Sequence, residues 1–169
     1  MNSGAASSLV VSSHNFAEGG TLPMSTVFSG MGCTGHNRSP HLTWSGEPDE
    51  TKSFALTLYD PDAPTGTGFY HWVLFNIPAD CHQLEENAGA SGSIGKPEDA
   101  VMSHTDFGSR EYSGPCPPPG DPPHRYIFTV YALSVPSIPA DAATTGAKLS
   151  FMMRESLLAK GSLSGRYGR

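Results

Sequence analysis

Glycine and proline interrupt this chain so often that its longest stretches free of both, residues 5–18 and 147–160, run to about fourteen residues. Proline lacks the backbone donor a helix interior needs, and glycine loses the most backbone freedom on ordering. With 19 glycines and 15 prolines in 169 residues, a bundle of long helices is excluded. The glycines keep no three-residue period, which excludes a collagen-like rod. What remains is a mainly β fold of short strands joined by irregular loops. The length suffices for one core and is small for two, so one domain over residues 1–169 is expected. Residues 1–15, small and polar, read as a loose leading segment.

Three segments carry clear strand patterns. Residues 52–59 (KSFALTLY) alternate, with Phe54, Leu56 and Leu58 on one face. Residues 69–77 (FYHWVLFNI) are aromatic-rich and end at Pro78. Residues 126–133 (YIFTVYAL) read as a central strand. These three are expected in one sheet, with shorter strands at 21–27 and 41–45. Residues 29–40, 85–100 and 113–123 read as loops long enough to suggest function. A C-terminal helix is expected over 148–160, where Leu149, Met152, Met153, Leu157 and Leu158 fall at helical spacing before Gly161, with a shorter helix over 139–147.

Sixteen acidic against ten basic residues leave a net charge of -6 with neutral histidines. No broad basic footprint is offered, so nucleic acid is not an expected partner. The only apolar run near the N-terminus is Leu9–Val11, far short of a signal core or a membrane span. A cytoplasmic protein with no membrane span is therefore expected. Cys33, Cys81 and Cys116 form no Cys-x-x-Cys pair, and on that ground all three are expected as free thiols; their spacing leaves one Cys–Cys bond open.

Three clusters can carry chemistry. Asp60 and Asp62 follow the first strong strand and are stiffened by Pro61 and Pro64. On a strictly extended backbone the two carboxylates would share one side. His71 lies inside an apolar strand, and a Gly/Pro-rich loop (114–120) carries Cys116 and Pro117 ahead of His124, Arg125 and Tyr126. Each cluster also has a plain structural reading: turn capping by the aspartates, a satisfied core histidine, and a rigid turn. Together they supply the parts of a small anion pocket, since imidazole, phenol and backbone N–H all donate to phosphate oxygens. The carboxylates would orient the histidines or meet a ligand amine. The spacing makes no closed metal set, so neither metal nor cofactor is expected, and no nucleophile motif is present.

Asp-Pro-Asp-Ala-Pro (60–64), the His71-Trp72 strand, and Gly-Pro-Cys-Pro-Pro-Pro-Gly with His124-Arg125-Tyr126 resemble the phosphatidylethanolamine-binding protein family, also known as the Raf kinase inhibitor protein family. The fuller string over 59–78, and Ser39 to Trp44, are similar to its bacterial and archaeal branch. The resemblance implies a large antiparallel sheet packed on a smaller one, with peripheral helices that include a C-terminal one. It also implies an anion pocket that accepts phosphate-like or phospholipid-headgroup ligands, built here from Asp60, Asp62, His71, Cys116, Pro117, His124 and Tyr126. Cys116 stands where animal members usually have glycine, which narrows the mouth.

The first functional expectation is accordingly a phosphoryl-ligand binding protein, not an enzyme, whose partner is a phosphate-like anion or phosphorylated small molecule and which modulates an unidentified protein. The alternative is an inhibitor of a kinase or protease acting by surface contact, with the pocket vestigial. A hydrolytic enzyme is the third. The sequence leaves the oligomeric state open.

Overall fold

The structure is a computed structural model and describes residues 7–92 and 95–169. Its strands are β1 (Ser7–Ser8), β2 (Val10–Ser12), β3 (Ser29–Gly30), β4 (Cys33–Thr34), β5 (Leu42–Ser45), β6 (Ser53–Asp60), β7 (Phe69–Pro78), β8 (Gln83–Leu84), β9 (Val101–Met102), β10 (His124–Leu133) and β11 (Leu157–Tyr167). One α-helix, α1 (Gly146–Met153), is present among the described residues. The main sheet has the order β1-β11-β10-β6-β7-β9. All its pairings are antiparallel except that of β1 with β11. A smaller sheet has the order β2-β5-β8, and β3 and β4 form a separate hairpin. The three strands recognised in the sequence thus lie side by side, as β6, β7 and β10.

Alternation divides the core in two. One face of the main sheet presents Phe54, Leu56, Leu58, Trp72, Phe128 and Val130 to Val11, Leu42 and Trp44 of the small sheet. The other presents Ala55, Val73, Phe75 and Leu133 to Leu149 and Met153 of α1. The residues of β6 from Ser53 to Leu58 are all buried, which accounts for its near-continuous apolar character. No described helix is long and apolar enough to cross a membrane.

Several expectations fail on local detail. The C-terminal helix stops at Met153, and Leu157 and Leu158 open β11 instead. Strand β10 needs a partner on its free edge, and β11 pairs with it from His124↔Tyr167 to Leu133↔Leu157. Ala159 and Leu163 then point into the core at the even spacing of a strand. Gly161, read as a helix stop, is a mid-strand position where a Cβ would lie 2.1 Å from the Leu9 carbonyl oxygen. Of the helix expected over 139–147, only residues 146 and 147 are helical, as the start of α1; the part before them holds a turn in which Asp141 Oδ1 accepts from the Ala143 amide at 2.9 Å. Thr145 caps α1 by accepting from the Lys148 amide. The 21–27 segment holds a 3-10 turn, Met24–Thr26, rather than a strand. Of the segment expected to be loose, residues 1–6 lie outside the described residues, while Val10–Ser12 pair with β5.

The cysteines are also corrected. Cys33 and Cys116 form a disulfide with a Cα–Cα distance of 6.0 Å, and Cys81 alone is free. The 83-residue separation gave no sequence signal for it, because the loops bearing the two cysteines meet only in the fold.

Candidate ligand-binding site

Strands β6, β7 and β10 bring Asp60, Phe69 and His124 together at one end of the main sheet, beside the loop that precedes β10. The register between β6 and β7 jumps from Leu58↔Trp72 to Tyr59↔Tyr70, which leaves His71 as an extra residue. Such a bulge re-aims a side chain. The His71 ring stands edge-on to Tyr126, with centroids 5.4 Å apart. Its Nδ1 lies 2.7 Å from the Ser113 carbonyl oxygen. A carbonyl only accepts, so Nδ1 carries the proton and, in the neutral ring, Nε2 holds the lone pair. Burial lowers the His71 pKa, against the opposing pull of the Ser113 carbonyl and Asp60.

His124 is only 3 % exposed and is held from both sides. Its Nδ1 donates to Asp60 Oδ2 at 2.7 Å, and its Nε2 to Asp121 Oδ2 at 2.9 Å. Burial disfavours the charged ring, but the two carboxylates outweigh it and raise the pKa. An imidazolium between two carboxylates is the consistent reading. Asp60 is equally committed, because its Oδ1 accepts the Asp62 amide at 2.8 Å. Burial, then the nearby Asp60 charge, push the Tyr126 phenol well above its ordinary pKa, so its hydroxyl stays protonated.

Asp62 does not share the side of Asp60. The chain turns immediately after Asp60, so the extended-backbone argument fails at the residue where it is applied. Asp62 grips Arg125 instead, accepting from Nε at 3.0 Å, from Nη2 at 2.9 Å and from the Arg125 amide at 2.8 Å. The Arg125 hydrogen bonds bring its pKa down to about 2.

Asp60, His71, His124 and Tyr126 form the polar end of a cavity of about 180 Å³. Phe69 and Phe107 meet edge to face at 4.8 Å on one wall, and Pro64 adds apolar surface. Cys116, Pro117 and Pro118 form the facing wall, and Met31 reaches in from the β3–β4 hairpin. Six of the seven residues expected at the site therefore converge, and Asp62 stands outside the lining. The wall loop is stapled by Asn37, whose Oδ1 accepts from the Gly114 amide at 2.7 Å. A Cβ on Gly114 would lie 1.9 Å from the Thr26 carbonyl oxygen, so only glycine fits.

Sequence reasoning missed Asp121, the Ser113 carbonyl, Met31, Phe69 and Phe107. Asp121 alone left a readable signal, three residues before His124; the aromatic pair meets only through the fold.

Residues 12–168 match the sequence profile of the family described as phosphatidylethanolamine-binding protein. The Escherichia coli (strain K12) protein YbcL is 45% identical over 162 residues, covering 96% of this chain and 88% of YbcL. YbhB of the same organism is 44% identical over 155 residues, covering 92% of this chain and 97% of YbhB. The crystal structure of E. coli YbcL, described as a new member of the mammalian PEBP family, superposes with a TM-score of 0.92 at 44% identity, covering 98% of this chain and 99% of that one. On the profile match, the near-full-length relatives and the shared fold, this chain belongs to the phosphatidylethanolamine-binding protein family.

Proposed function

We propose that the protein binds a small phosphoryl-bearing ligand in the cavity between β6, β7 and β10, and that His71 is the residue that receives it. The observation that carries this reading is the fixed His71 ring. Ser113 holds Nδ1, which leaves Nε2 for a ligand at the polar end of a cavity with apolar walls. A protonated phosphate oxygen donates to Nε2; alternatively the ring takes up a proton and donates to a bare oxygen. In both cases a proton stays in the site with the anion. His124, expected as a direct donor, serves differently: both its nitrogens are spent on carboxylates, so it offsets the Asp60 charge next to the incoming anion.

The cavity accommodates a headgroup-sized portion of a ligand, and the aromatic and proline walls suit its organic substituent. Binding rather than catalysis is the reading, because Cys116 sulfur is held in a disulfide and His124 has no nitrogen left to act as a base. The disulfide also favours an oxidising compartment over the cytoplasm first expected.

Isothermal titration with sulfate and with phenyl phosphate between pH 5.5 and 8 tests the proposal. Sulfate affinity should rise as pH falls, because sulfate stays unprotonated and the proton must come to His71. Absence of binding by either probe at millimolar concentration would sink the reading.

A further inference from the structure

The cavity mouth is built by a hairpin that cannot hold itself in place. Strands β3 and β4 share only the pairs Ser29↔Thr34 and Gly30↔Cys33, too few for independent stability. The turn residues Met31 and Gly32 have φ of 53° and 84°. That left-handed conformation suits glycine or asparagine, and Met31 is strained in it. Met31 is also 72% exposed while its side chain lines the cavity. Strain of this kind persists only where the surroundings impose it.

Two tethers impose it. The Cys33–Cys116 disulfide ties the hairpin to the proline wall. The Arg169 guanidinium spans the same gap, with Nε donating to the Pro117 carbonyl at 2.7 Å, Nη1 to Gly32 at 3.3 Å and Nη2 to Met31 at 3.4 Å. The hairpin base is anchored separately. The Phe28 amide donates to Pro115 at 2.9 Å and the Gly35 amide to Phe28 at 3.0 Å. The Phe28 ring stacks on Phe107 at 5.3 Å. The base is therefore fixed and the tip is strained and tied.

We propose that the Cys33–Cys116 disulfide is a redox latch on the cavity mouth, whose reduction by an external dithiol lets the hairpin tip swing off the proline wall and admits bulkier phosphoryl ligands. The proposal rests on the phosphoryl-binding reading of the cavity. Cys116 is the more exposed of the two residues, being half-buried where Cys33 is buried. A reagent thiolate attacks Cys116 Sγ, and Cys33 leaves as a thiolate and takes up a proton. The second reagent thiol, as its thiolate, displaces Cys116, which is protonated in turn. Two electrons and two protons pass to the protein, and the dithiol becomes a disulfide. The hairpin base stays anchored through Phe28 and Pro115, which keeps Cys33 within reach of Cys116, so exchange with an external disulfide, itself reduced to the dithiol, closes the latch again.

Hydrogen exchange of oxidised and reduced wild-type protein reads the hairpin directly, and titration with phenyl phosphate and the wider 1-naphthyl phosphate reads the mouth. On reduction, amides of residues 29–34 should exchange at least about tenfold faster while those of β10 are unchanged. Naphthyl phosphate should bind about tenfold tighter to the reduced protein, with phenyl phosphate little altered. The C33S/C116S double variant should behave like the reduced protein, and reduced wild type supplies the same readout if that variant does not fold. Equal hairpin exchange in both redox states overturns the latch, and so does faster exchange with an unchanged preference between the two probes. Faster exchange with neither probe bound in either state supports a hairpin released by reduction and overturns the phosphoryl reading instead.

Discussion

Asp121 lies 2.9 Å from Nε2 of His124 and takes the ring nitrogen that Asp60 leaves free. Asp60 is 2 % exposed, whereas the Asp121 side chain is 37% exposed, so one carboxylate reaches the buried ring from inside and the other from solvent. Together they hold the ring charged in a place where burial alone would strip its proton.

The raised His124 pKa makes a pH prediction whose sign is definite. A histidine whose folded pKa exceeds its unfolded value contributes stability that is complete below about pH 6.5 and is lost as pH rises through the folded pKa. Asp121→Asn should lower that folded pKa and bring the loss to lower pH. NMR titration of the His124 ring, with denaturant unfolding at several pH values, checks it. An unchanged His124 titration in the variant would show that Asp121 is a bystander.

The two aspartates of the Asp-Pro-Asp sequence should separate on mutation. Asp60→Asn leaves a buried charged imidazole short of its inner partner and should cost about 3 kcal/mol. Asp62→Asn breaks an ion pair whose side chains are 53% and 32% exposed, and solvent screening makes its effect a small fraction of that. Sulfate binding should survive the Asp62 change, because that side chain lies outside the cavity. Equal destabilisation by the two variants would contradict the placement of Asp62.

Much of the fold was legible because strand alternation is local. The apolar, β-rich character of 52–59, 69–77 and 126–133 marks each as a core strand, and the structure pairs all three side by side. The boundary at Met153 was not legible: Leu157 and Leu158 continue a helical spacing, and only the open edge of β10 decides for a strand. At the site, six of the seven residues the motifs singled out line one cavity. Asp62 falls outside that lining because an i, i+2 rule holds only while the strand continues, and β6 ends at Asp60. The disulfide, the aromatic wall and the Ser113 carbonyl depend on loops meeting across the fold, which spacing along the chain does not encode.

Thiol chemistry gives a clear number. Denatured, unreduced protein should show one reactive thiol, Cys81, and three after reduction. Because the bond closes a loop of 83 residues, its removal should cost up to about 4–5 kcal/mol on a chain-entropy account. Denaturant unfolding with and without reductant measures this. Three thiols before reduction would remove both the bond and the latch built on it.

His71 should behave oppositely to His124. Its folded pKa is lowered, burial being the chief cause, so its contribution to stability is complete above about pH 6.5 and is lost as pH falls through the folded pKa. In the free protein its NMR signals should report a neutral ring with the proton on Nδ1, as the Ser113 carbonyl at 2.7 Å dictates. An anion at Nε2 reverses the balance, because it favours the protonated ring. Sulfate should therefore move the His71 titration to higher pH while leaving that of His124, enclosed by its two carboxylates, nearly in place. His71→Gln keeps a polar side chain but cannot take up the proton. In that variant sulfate affinity should lose its pH dependence between 5.5 and 8, and at the acid end should fall by the worth of a charged hydrogen bond, about 1.5–3 kcal/mol. If His124 shifts with sulfate and His71 does not, the anion is received at the wrong histidine for this account.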